Sequence, residues 1–100
     1  AGRYSIAAQV SLGASATGHR YLMVRKNSGG SATGGIAVVQ QRVPAAASSQ
    51  SSIINGAGEA SALNVDDYLE LFGWQNSGGA LALNSGPGET VMSVRWVALD

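Results

Sequence analysis

From residue 3 to residue 12 the chain alternates, with Tyr4, Ile6, Ala8, Val10 and Leu12 on one side and Ser5, Ala7, Gln9 and Ser11 on the other. A period of two is that of a β-strand with one face buried. A small-residue turn at 13–18 leads to a second strand at 19–26, which carries Tyr21, Leu22, Met23 and Val24 and is ended by Asn27-Ser28-Gly29-Gly30. After a polar loop, the β-branched content of 36–43 predicts a third strand, stopped by Pro44. Residues 45–52 have no apolar stripe at helical spacing and read as an irregular link, followed by a long, glycine-interrupted strand at 52–63. The Asx-rich turn Asn64-Val65-Asp66-Asp67 precedes the clearest strand signal, 68–75. There Leu69 and Leu71 oppose Tyr68, Glu70, Phe72 and Trp74. A second Asn-Ser-Gly-Gly, at 76–79, is expected to join that strand to a short one at 80–83 as a hairpin. The breaker Ser85-Gly86-Pro87-Gly88 then precedes a last strand at 90–99. Six or seven strands without a helical segment predict an all-β sandwich of antiparallel sheets.

One hundred residues suffice for one domain with a modest core. Six basic residues balance six acidic ones, so no field of one sign draws the chain to nucleic acid or to an anionic membrane, and neither is expected as a partner. The chain has no cysteine, which excludes disulfides and thiolate metal sites and leaves packing or association to supply stability. Its apolar runs are a few residues long, far short of the roughly 20 that span a bilayer as a helix.

Four motifs invite a chemical reading. Gly56-Ala57-Gly58-Glu59-Ala60-Ser61 after Ile53-Ile54 has two glycines of a dinucleotide fingerprint, but the third glycine and the following amphipathic helix are missing, so a strand bulge is the better reading. His19 is the only histidine; beside Arg20 at the head of a strand, it reads as a solvated loop-edge residue. Asn64, Asp66 and Asp67 offer hard oxygen ligands of the kind calcium takes, yet neighbouring residues entering a strand point apart. Glu59, Glu70 and Glu89 supply carboxylates for glycoside hydrolysis, without any sign that two converge. The expectation is no enzyme, no metal and no cofactor.

Two stretches together carry a resemblance: Ala1-Gly2-Arg3-Tyr4-Ser5-Ile6-Ala7-Ala8-Gln9-Val10, and Leu63-Asn64-Val65-Asp66-Asp67-Tyr68-Leu69-Glu70-Leu71 running into Gln75-Asn76-Ser77-Gly78-Gly79. They resemble the complement component 1q and TNF-like jelly-roll superfamily, in detail the versions at the C-terminal ends of tail and other virion proteins of actinobacterial phages. Asp66 departs from the pattern, standing where the family usually has Gly before Asp. The match also begins near the family's third or fourth strand, so the resemblance implies a jelly roll without its first strands, residues 1–100 being a single domain at the C-terminal part of a longer chain.

The resemblance further implies a non-enzymatic homotrimer located in the virion, whose inner sheet contains the strands at 3–12, 52–63 and 90–99. With Tyr4, Ile6 and Val10 pointing into the sandwich, Ser5, Ala7 and Gln9 would face the threefold axis with Ser93 and Arg95. The implied roles are a tail-fibre or minor-tail module that contacts the host surface, a capsid decoration module, or a secreted bacterial adhesion domain. Partners would be other copies of the chain, other virion proteins and a host-surface glycan or protein. If Leu69 and Leu71 face the core, then Tyr68, Glu70, Phe72 and Trp74 lie on the outer face, where rings beside a carboxylate suit sugar or protein recognition.

Overall fold

A computed structural model describes residues 2–45, 52–79, 81–84 and 88–99. Its strands are β1 Gly2–Leu12, β2 His19–Lys26, β3 Ile36–Pro44, β4 Ser52–Leu63, β5 Leu69–Gln75 and β6 Val91–Leu99. They form two three-stranded antiparallel sheets packed face to face as a β-sandwich: sheet A in the order β4-β1-β6 and sheet B in the order β3-β2-β5. No helix occurs among the described residues. Of the link expected at 45–52, residues 46–51 lie outside the described residues, as do 85–87 of the breaker.

Alternation decides which side chains meet between the sheets. From β1 come Ile6, Ala8, Val10 and Leu12, and across the gap stand Leu22 and Val24 of β2 and Val39 of β3. Ile54 and Ala60 of β4 complete this buried cluster, while Leu69 and Leu71 of β5 pack against it, as the alternation of β5 predicts. The three strands expected to share one sheet do so, flanking β1 as the central strand.

Gly56 and Gly58 do not form the expected bulge. The β1–β4 register runs unbroken from Tyr4↔Ala60 to Leu12↔Ser52, and the irregularity lies instead between Gly2 and Tyr4, opposite Ala62 with its φ of 54°. The glycines serve close approach of the sheets: a Cβ on Gly56 would stand 2.9 Å from Val39 Cγ1 and 3.1 Å from Leu22 Cδ2. Glycine is required there by the facing sheet rather than by local conformation.

The expected 75–83 hairpin is also corrected. Of the short strand expected at 80–83, residue 80 lies outside the described residues; among 81–83 only Leu83 makes a β-bridge, and its partner is Leu12 of β1, not β5. The chain therefore crosses from sheet B to sheet A, held by Gly13 N–H on the Ala82 carbonyl and Asn84 N–H on the Ser11 carbonyl, both at 2.8 Å. Thr90 Oγ1 receives Ser11 N–H and donates to the Asn84 carbonyl at 2.7 Å, which buries Ser11 although it lies on the polar side of β1. Small polar side chains that hydrogen-bond main chain compete with ladder pairing, so this segment makes a clamp in place of a strand.

Arg20 is fully buried at one end of the sandwich. Its Nη1 donates to the carbonyls of Thr17 (2.9 Å) and His19 (3.1 Å), and its Nη2 to that of Ser15 (2.9 Å). No carboxylate pairs with it among the described residues, so main-chain carbonyls supply the compensation that a buried charge demands.

Candidate assembly and ligand-binding faces

The two outer faces differ in kind. On sheet A, cross-strand pairs place Ser5 between Arg95 and Glu59, and Ala7 between Ser93 and Ala57, all on the side away from the core. These residues are exposed, and Ser5, Ala7, Ser93 and Arg95 line a shallow depression of about 280 Å³. Ser5, Ala7, Ser93 and Arg95 thus lie together on one face. Gln9 shares the face but is committed elsewhere: its amide donates to the carbonyls of Gly88 and Glu89, tying β1 to the turn before β6. Arg3 reaches Glu59 at 3.9 Å across two exposed side chains, a separation worth little in solvent.

On sheet B the outer face is aromatic. Tyr21 of β2 pairs with Trp74 of β5 on one side and Arg42 of β3 on the other. The Tyr21 and Trp74 ring centroids lie 4.8 Å apart with planes tilted by 53°, while Arg42 donates to the Tyr21 hydroxyl at 3.2 Å, its guanidinium 5.8 Å from the ring centre. Below this row, Met23 lies between Phe72 and Gln40. Tyr21, Met23, Arg25, Gln40 and Trp74 line a hollow of about 410 Å³, with Ala32 and Thr33 as its rim. Trp74 remains 40% exposed.

The four residues expected on this face divide into two pairs. Trp74 lines the hollow, and Phe72 lies on the same face beside Met23. Glu70 and Tyr68 instead hold the 27–35 loop: Glu70 Oε1 accepts from Ser28 Oγ and from Gly30 N–H (3.1 Å), and Gly29 N–H donates to the Tyr68 hydroxyl at 2.7 Å. Arg25 pins the same loop from the face, donating through Nε to the Gly34 carbonyl at 2.6 Å. Tyr21, Met23, Gln40 and Arg42 carry no site signal in the sequence: the alternation of 19–26 puts Tyr21 and Met23 on one side, but only the pairing with β5 and β3 joins them to Trp74, Gln40 and Arg42.

A third feature is a groove of about 600 Å³ between the unpaired edges of β5 and β6. By register Val94 and Trp96 stand beside Ile6 and Tyr4 and face inward, yet they are 44% and 56% exposed, because sheet B does not extend over β6. The turn 64–67 closes one end. Asp66 has a φ of 74°, a conformation that favours glycine. Asp67 accepts from Asn27 Nδ2 and from Asn64 N–H, each at 2.9 Å, with Lys26 Nζ at 3.4 Å. These contacts, the Asn27 bond foremost, hold its carboxyl below the ordinary carboxylate range.

Asp67 is thereby committed to neighbouring side chains and main chain, and no group of three potential metal ligands gathers among the described residues. His19 is exposed, its N–H bonded to Asn76 Oδ1 at 2.6 Å. Glu59 and Glu70 lie on different sheets with separate partners, so this pair of carboxylates does not meet across a cleft.

No family model matches the chain, and no curated protein or solved structure matches it either.

Proposed function

We propose that this chain is a non-enzymatic jelly-roll module of a phage virion, in a tail fibre or minor tail protein, that trimerises through the outer face of sheet A and meets the host surface with the outer face of sheet B. The strand order supports the jelly-roll reading: β4-β1-β6 in one sheet and β3-β2-β5 in the other is the arrangement of the last six strands of an eight-stranded jelly roll, in which two consecutive strands share a sheet. The virion location rests on the resemblance of residues 1–10 and 63–79.

The observation that carries trimerisation is the charge layout of sheet A. Small residues occupy its centre, with Ser5 flanked by Glu59 on β4 and Arg95 on β6. A threefold interface is heterologous, joining one side of a subunit to the other side of the next. It therefore brings Arg95 of one copy towards Glu59 of its neighbour, while Ala7 and Ser93 allow the sheets to approach. Sedimentation equilibrium at micromolar concentration is expected to give three times the chain mass, Arg95→Glu to give monomer, and Arg95→Glu with Glu59→Arg to restore the trimer. A monomeric wild type, or a trimer indifferent to Arg95→Glu, overturns the reading.

A further inference from the structure

We infer that the hollow on the outer face of sheet B binds an acidic sugar, with the apolar face of a pyranose on Trp74 and its carboxylate on Arg42. The inference deepens the reading of this face as the host-contacting surface and rests on it.

Features in the hollow and beside it point to that ligand class. The Trp74 ring is accessible and is braced by Tyr21 at 4.8 Å, a fixed platform for the C–H face of a sugar. Arg42 does not line the hollow but stands exposed beside it, across the Tyr21 ring from Trp74; among the described residues its guanidinium makes one hydrogen bond, to the Tyr21 hydroxyl, and no carboxylate pairs with it. The remaining donors of its planar fork match a carboxylate, and charge-assisted contacts of this kind are the strong ones. Gln40 and the Thr33 hydroxyl stand around the hollow as hydroxyl partners, over a floor supplied by Met23.

The wall is also built before any ligand arrives. Glu70, Ser28 and Gly30 hold the loop from below, and Arg25 holds Gly34 from the face, so the rim at Ala32 and Thr33 is fixed by two independent sets of bonds. Glu70 is the carboxylate on this face that would repel an acid, and it is occupied by the loop. A hollow lined by apolar and aromatic side chains with a few converging polar groups is the usual form of a small-ligand site. Its size, about 410 Å³, suits one or two sugar rings rather than an extended polymer.

The test titrates the full chain with trigalacturonate, maltotriose and sodium acetate, following the Trp74 indole N–H by NMR in a Trp96→Phe background. Trigalacturonate is expected to shift the Trp74 signal saturably and maltotriose to bind at least about tenfold more weakly. Arg42→Gln should also weaken the uronate by about tenfold or more, the loss of one charge-assisted contact, and Trp74→Ala should abolish its binding, followed calorimetrically. Arg42 is exposed, so its variant retains the fold even if Trp74→Ala does not. No shift with trigalacturonate, an equal response to maltotriose, or an acetate response that equals it and survives Trp74→Ala overturns the inference. Sedimentation of the same samples separates the two proposals: a trimer that ignores uronates keeps the assembly reading and loses the sugar, whereas a monomer that binds them does the reverse.

Discussion

Along β3 and β4 the two sheets meet closely, and along β5 and β6 they part. On the first flank Val39 and Leu22 press onto Gly56, and Ile54 is 1% exposed. On the second, Val94 and Trp96 face inward over a groove, and the contacts that close its end are polar: Asn27, Lys26 and Asn64 on Asp67. Both flanks carry the same alternation, so the difference does not come from pattern. It comes from sheet width and from the side chains allowed between the sheets: two glycines on β4 let sheet B lie down, whereas no strand of sheet B reaches across β6. The sandwich is therefore a hydrophobic hinge on one side and an electrostatic clasp on the other.

Substitutions in the two flanks give the largest contrast. Ile54→Ala removes a fully enclosed side chain beside Val39 and Leu22 and is expected to cost about 2–5 kcal/mol. Trp96→Ala deletes a larger side chain that is already more than half in solvent, and is expected to cost about 1 kcal/mol or less. Urea unfolding of both variants measures the difference directly. Equal losses would mean that Trp96 is covered in the protein in solution, and the comparison between flanks would fail.

Arg20 lies at the end of the sandwich and tests whether a polar plug there contributes independently of either flank. Arg20→Met keeps the apolar stem and leaves the carbonyls of Ser15, Thr17 and His19 without this donor. A loss of about 1–3 kcal/mol is expected, the cost of leaving buried acceptors unpaired. If that variant is as stable as the wild type, water replaces the guanidinium and the 13–18 loop owes nothing to it.

The strands were legible in the sequence because a buried face imposes period two, as Ile6, Val10 and Leu12 of β1 show. The orientation of β5 was legible for the same reason: Leu69 and Leu71 pack on the core, and Trp74 faces out. What depends on the opposing sheet was not. Gly56 and Gly58 look like interruptions until Val39 lies on them. The segment 81–84 has the composition of a strand, but its hydrogen bonds go to Ser11 and Gly13 across the sandwich. Of the candidate site, Trp74 was visible, with Phe72 beside it on the same face. Tyr21 and Arg42 join it only through pairing over long sequence separations, while Glu70 drops out because Ser28 and Gly30, 40 or more residues away, claim its carboxylate.

The smallest expected effect concerns the clasp and its response to acid. Asp67 holds its proton less tightly than an ordinary carboxyl because Asn27, the Asn64 N–H and Lys26 all favour the charged form. A carboxyl whose folded value is depressed stabilises the fold above the unfolded value, about 3.9, and loses that contribution as pH falls through the folded value. The side chain is partly open to solvent, so the gain is screened. Carboxyl-carbon NMR should place the Asp67 midpoint below 3.9, with the Asn27 side-chain amide and the Asn64 N–H shifting through the same midpoint and the amides of Val39 and Ile54 unmoved. Asp67→Asn should abolish that coupled step. An Asp67 midpoint at or above the ordinary value would show that the Asn27 and Lys26 contacts do not persist in solution, and the open flank would then have no electrostatic clasp.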